Sequence, residues 1–174
     1  MLLVVDANIV VSALLKKGVT FDVFLLNHIF RKFEFVAPEF LMVEVENHME
    51  ELSRETKLSG DEFNEVIGFL MGEINLVPSS QFADFLPKGR EVSPHFKDFE
   101  YLALALKLGC PIFSGDKALK RQSSVKVLSS RELLDLLLSS EKASWDDRAA
   151  LGEAMREHER GETAPLGKAL RKLK

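Results

Sequence analysis

Short apolar runs alternate along the chain with longer segments in which apolar residues return every three or four positions. The runs fall at residues 2–5, 33–37, 74–77, 111–114 and 125–128, each of strand length. Between them, Phe21, Phe24 and Leu25, and then Leu41, Val45, Met49 and Leu52, mark apolar stripes on helices. A third stripe, Phe99, Leu102, Ala103 and Leu106, precedes the fourth run. Strands alternating with helices predict a mostly parallel sheet covered on both faces.

Local punctuation supports these divisions. Pro38 follows the second run at a helix start. Ser59 is placed as an N-cap with Glu62 three residues on, and Ser129 with Glu132 repeats that capping-box pattern before the last core helix. Gly109 ends a helix just before Cys110-Pro111. After about Leu138 the texture changes: residues 139–174 are rich in charge and poor in large apolar side chains. They predict a helical C-terminal extension, with an amphipathic helix over 146–160, a stop at Gly161 and a short helix after Pro165. The expected division is a domain over 1–138 and an extension over 139–174.

Composition changes this picture little. With 46% apolar and 29% charged residues, the chain of 174 residues can bury a sizeable core and does not fit intrinsic disorder. No apolar run approaches the roughly 20 residues of a membrane span, and the start lacks a signal-peptide pattern. A single cysteine, Cys110, excludes an intrachain disulfide and fits a cytoplasmic location. It reads as a small buried residue beside a strand. A net charge of −4 argues against a polybasic nucleic-acid binder. It does not exclude a metal-dependent nuclease, which concentrates carboxylates in its site. Basic pairs at Lys16-Lys17, Arg31-Lys32, Lys88/Arg90, Lys120-Arg121 and Arg171-Lys172 read as solvated surface unless they converge.

Candidate chemistry rests on four acids. Asp6 ends the first strand, at the edge where parallel sheets bind ligands. It would also serve as the cap of the following helix. Asp116 follows the fourth strand. Glu44 and Asp98 lie on the flanks of their apolar stripes, between core and water. Each alone reads equally as a cap or surface residue. Together they can converge on one sheet edge, where their repulsion would require a hard divalent cation, Mg²⁺ or Mn²⁺. The histidines at 28, 48, 95 and 158 show no zinc-like grouping, and no HExxH motif or glycine-rich phosphate loop is present. A dehalogenase-like phosphatase would want a second Asp two residues after Asp6, where Asn8 stands.

The stretch Val5-Asp6-Ala7-Asn8, Pro38 with Glu44 six residues on, Asp98 ahead of Leu102-Ala-Leu-Ala-Leu106, and Gly109-Cys-Pro-Ile-Phe-Ser-Gly-Asp116-Lys resemble the PIN-domain ribonucleases. The resemblance covers about residues 1–138. It implies a three-layer α/β/α domain with a central parallel sheet, and metal-dependent cleavage of single-stranded or structured RNA. It further implies Asp6, Glu44, Asp98 and Asp116 as ligands of one or two Mg²⁺ or Mn²⁺ ions, supported by Asn8 and Ser114. Many relatives are VapC-type toxins, often homodimers, while others process RNA. Where close relatives carry another acid three residues before Asp98, this chain has His95, which reads as a solvated substitution. In the extension, Asp147-Arg148-Ala-Ala-Leu and Glu159-Arg160-Gly-Glu-Thr resemble the C-terminal part of small antitoxins. That implies either an antitoxin partner or self-inhibition by residues 139–174, with Arg148, Arg156 or Arg160 reaching the acids. The alternative from another class is a PIN-like module that binds RNA or protein without cutting.

Overall fold

The computed structural model describes residues 1–15, 18–56 and 58–139. Five strands, β1 (Leu2–Val5), β2 (Glu34–Pro38), β3 (Ile74–Val77), β4 (Ile112–Phe113) and β5 (Val127–Leu128), form one sheet in the order β3-β2-β1-β4-β5. Every neighbouring pair is parallel. The eight helices among the described residues are α1 (Ala7–Leu15), α2 (Val19–Phe30), α3 (Phe40–Glu55), α4 (Gly60–Gly72), α5 (Leu86–Val92), α6 (Phe99–Leu108), α7 (Lys117–Arg121) and α8 (Ser130–Leu138). None of the helices is long and apolar enough to cross a membrane.

Parallel neighbours require crossovers, and right-handed crossovers decide which face each helix covers. The chain steps outward from β1 through β2 to β3, then returns to the far side of β1 as β4. That reversal sends α5 and α6 to the face opposite α1–α4, giving a three-layer α/β/α fold. The contacts agree: α6 packs on β1, β2 and β4, while α1 packs on α2, α3 and α4, and α8 closes against α2. Leu3, Val4 and Val5 of the central strand are fully buried, as a strand covered on both faces must be.

The predicted elements recur with three instructive differences. Pro38 is the last residue of β2, paired with Val77, rather than a helix start. It has no N–H, but the next donor, Glu39, reaches the Val77 carbonyl at 3.0 Å, so the ladder continues past the proline. The last two strands are shorter than their apolar runs, although the Pro111 carbonyl still accepts from Val4 at 3.0 Å. Finally, α6 buries an unbroken run from Tyr101 to Ala105 rather than a stripe, and Phe99 and Leu106 are only half-buried. The cause is α5 on the far side of the helix. A Cβ at Gly89 of α5 would sit 2.4 Å from the Phe99 carbonyl oxygen, so only glycine permits this approach.

Helix ends follow the sequence closely. Ser59 and Ser129 each form a full capping box with Glu62 and Glu132, and Gly109 closes α6 in the left-handed region at φ 61°. The helices expected over 146–160 and after Pro165 lie outside the described residues, as do Lys16, Lys17 and Arg171-Lys172.

Candidate active site

The strand order reverses between β1 and β4, and that crevice is where an open parallel sheet binds ligands. Asp6 leaves β1 there, and Ser114 and Asp116 leave β4 beside it. The Asp6 carboxylate is 2% exposed. Its Oδ2 accepts from Ser114 Oγ at 2.6 Å and its Oδ1 from the Asn8 N–H at 3.3 Å. The Asn8 side-chain amide reaches Oδ2 at 3.5 Å. Both readings of Asp6 therefore hold: it caps α1, and it lies buried at the strand end. Burial pushes its pKa up, and the bonds from Ser114 and Asn8 only partly offset that.

Asp116 is the N-cap of α7, with its Oδ1 accepting from Ala118 and Leu119 backbone N–H groups. Its own N–H donates to Ser114 Oγ at 3.0 Å. Ser114 thus ties Asp6 to Asp116 through one hydroxyl.

Glu44 and Asp98 approach from helices. Glu44, on the flank of α3, accepts a short hydrogen bond from the Tyr101 hydroxyl of α6. Burial raises its pKa, the Tyr101 bond lowers it, and the charge of Asp6 raises it again. Asp98 stands at the N-cap position of α6 but makes no side-chain cap bond. Among the described residues its Oδ2 is a buried side-chain oxygen without a hydrogen-bond partner. Its pKa is pushed up to about 6, by burial first, then by Asp6, Asp116 and Glu44, with His95 opposing. A buried acceptor left bare is costly, and a capping role does not account for it.

Asp98 is therefore within electrostatic reach of the other three predicted acids, and Asp6 of Glu44 and Asp116, while Asn8 and Ser114 bond to Asp6. They do not form a closed cage. Among the described residues, no three carboxylate, imidazole or thiol groups stand close enough to hold one cation as posed. Tyr101 holds one oxygen of Glu44, and α7 holds one oxygen of Asp116. The donor set nonetheless fits a hard divalent cation: it is all oxygen, crowded with like charge, and leaves Asp98 Oδ2 unpartnered.

Three residues escaped the sequence reading. Tyr101, the chain's one tyrosine, is 1% exposed, and burial pushes its hydroxyl pKa up, so it remains a donor. A tyrosine three residues after Asp98, within an otherwise Leu/Ala segment, was the available signal. Glu100 has its pKa raised by burial and by Glu39 and Glu44, while Glu39 accepts from the Ser79 N–H at 3.2 Å. Both extend the acidic lip beyond the four. His95 is exposed, as expected of a solvated substitution.

Three of the basic residues have protein partners. Lys88 meets Glu91 at 2.9 Å and Lys120 meets Glu132 at 2.8 Å, while Lys32 donates to the Leu136 carbonyl. A depression of ≈ 340 Å³ is lined by Asp116 together with the neutral polar groups of Asn8, Ser12, Thr20 and Ser130. Cys110 is half-buried against the core, and burial raises its pKa.

A family model for the PIN domain matches residues 4–137. No curated protein matches the chain.

Proposed function

The chain belongs to the PIN-domain family, in general a family of nucleases, and we propose that it is a ribonuclease cutting phosphodiester bonds of single-stranded or structured RNA. The observation that carries this is the bare, buried Oδ2 of Asp98 set among Asp6, Glu44 and Asp116. Those four carboxylates would hold one or two Mg²⁺ or Mn²⁺ ions. When bound, such an ion acidifies the attacking water and offsets charge on the leaving oxygen.

The protein's own groups prepare that chemistry. Ser114 and Asn8 orient Asp6, and Ser114 also fixes the backbone of Asp116. Tyr101 selects the pose of Glu44. Supporting bonds of this kind commonly tune both ligand orientation and basicity. The depression that Asp116 lines together with the hydroxyls of Ser12, Thr20 and Ser130 would seat a nucleotide next to the scissile phosphate.

The biological role would be that of a VapC-type toxin or an RNA-processing nuclease, acting in the cytoplasm as a homodimer. Residues 139–174, as a unit distinct from 1–138, would inhibit the site or stand in for an antitoxin partner.

Cleavage of a labelled single-stranded RNA with Mn²⁺ or Mg²⁺ tests the proposal, against EDTA and Asp98→Asn. Metal-dependent cutting lost in Asp98→Asn is expected. RNA binding without cutting would favour the non-catalytic binding module. Stronger cutting after Arg148→Ala, Arg156→Ala and Arg160→Ala together would assign inhibition to the extension.

A further inference from the structure

Large apolar side chains on this surface are mostly aliphatic and half-covered, with one exception. Phe96 is 78% exposed, the most exposed large apolar residue among those described. It lies two residues before Asp98, in the tight turn Phe96–Asp98 that leads into α6. That turn is pinned: the His95 carbonyl accepts from the Asp98 N–H at 3.0 Å and from Ser93 Oγ at 2.5 Å. Phe96 is therefore presented by a short hydrogen-bonded turn rather than a long loop.

The ring packs obliquely against a second aromatic. Its centroid is 5.3 Å from that of Phe99, tilted by 42°. The guanidinium of Arg90 lies 4.6 Å from the Phe99 centroid. Lys97 sits between the two rings in sequence, and its charge reaches Glu44. An exposed aromatic ring thus packs against Phe99, which carries the Arg90 cation, in the same short turn as the aspartate with the unpaired oxygen.

An aromatic ring beside basic groups matches the chemistry of unpaired nucleic acid, where bases stack on the ring and phosphates meet the cations. A protein partner's apolar side chain would not need the cations. We propose that Phe96, backed by Phe99 and Arg90, is a stacking platform for one base of a single-stranded RNA, placing the adjoining phosphate at Asp98. The proposal rests on the reading of the four acids as the cutting site. It predicts a preference for unpaired strands, because a base within a duplex cannot present its face to Phe96.

The test uses the full chain and a short single-stranded oligoribonucleotide carrying 2-aminopurine, with Mn²⁺ present. Binding is measured in an Asp98→Asn background and cleavage in the otherwise wild-type protein. Phe96→Ala is expected to weaken binding by about tenfold or more, the scale of one stacked base. The same change should raise KM more than it lowers kcat and should relieve quenching of 2-aminopurine. Phe96→Trp should restore both affinity and quenching. Unchanged binding in Phe96→Ala overturns the platform. So does equal rescue by Phe96→Leu, which would make the contact merely apolar, or dissociation of a dimer by Phe96→Ala, which would give the ring to a second copy. If the wild-type protein does not cut but Phe96-dependent quenching persists, the nuclease reading fails and the platform stands.

Discussion

The two sides of the acidic crevice are built on opposite principles. On the strand side, Asp6 and Asp116 are hydrogen-bonded into the backbone and joined through Ser114. On the helix side, Glu44 has one phenol and Asp98 Oδ2 has nothing. The strand-side acids support the fold as caps whatever else they do, so their presence alone says little about chemistry. Asp98 has no such second role, and its unsatisfied oxygen is a cost that folding does not recover. In a cluster of carboxylates the informative oxygen is the one left without a protein partner.

That contrast breaks most sharply at Asp98. Asp98→Asn should lower metal-dependent cleavage by more than the roughly 100-fold typical of losing a supporting group, while the metal-free melting temperature stays level or rises as like-charge repulsion is relieved. Full activity at matched metal concentration would remove Asp98 from the site.

Tyr101→Phe sharpens the comparison by making Glu44 as bare as Asp98. Mn²⁺ should bind about 10–100-fold more weakly, read as a smaller Mn²⁺-induced rise in melting temperature. An unchanged Mn²⁺ response would make the Tyr101 hydroxyl a purely structural donor.

On the strand side the cost should appear in stability instead. Ser114→Ala strips Asp6 Oδ2 and the Asp116 N–H of a shared partner. It should cost about 1–3 kcal/mol in urea unfolding. A null result there would mean that Asn8 and the α7 backbone hold both acids by themselves.

The smallest effect is the pH slope. The folded pKa of Asp98 is raised to about 6 from 3.8, so between those values the folded state binds more proton than the unfolded one. Its contribution is fully present below pH 3.8 and is lost as pH rises through about 6. Burial of Asp6 and Glu44 acts in the same direction. Without metal, the melting temperature should therefore decline over that window, gently because Asp98 is partly solvent-screened, and Asp98→Asn should flatten the decline. Stabilisation by Mn²⁺ should grow over the same window, since the cation competes with the proton. A flat profile in the wild-type protein would contradict the crowding of the four acids.

Local patterns were legible because they depend on near neighbours in sequence. The capping boxes at Ser59 and Ser129 and the stop at Gly109 need only three or four residues to specify them. The apolar runs located all five strands, and the flank position of Glu44 followed from helical geometry, whereas Asp98 stands at the N-cap position of α6 rather than on its flank. The burial of α6 was misread as a stripe because periodicity reports one packed face, and α5 supplies a second.

What the sequence determined alone is thus the alternation of elements, their caps, and which acids stand at strand ends or helix flanks. Only the tertiary structure decided that the strand order reverses between β1 and β4, bringing Asp6 against Ser114 across 108 residues of chain. It alone paired Tyr101 with Glu44, left Asp98 Oδ2 unpartnered, and set Phe96 outward against Phe99. The physical reason is that hydrogen-bond satisfaction and exposure belong to pairs of elements. They arise when two surfaces meet, and no single element encodes them.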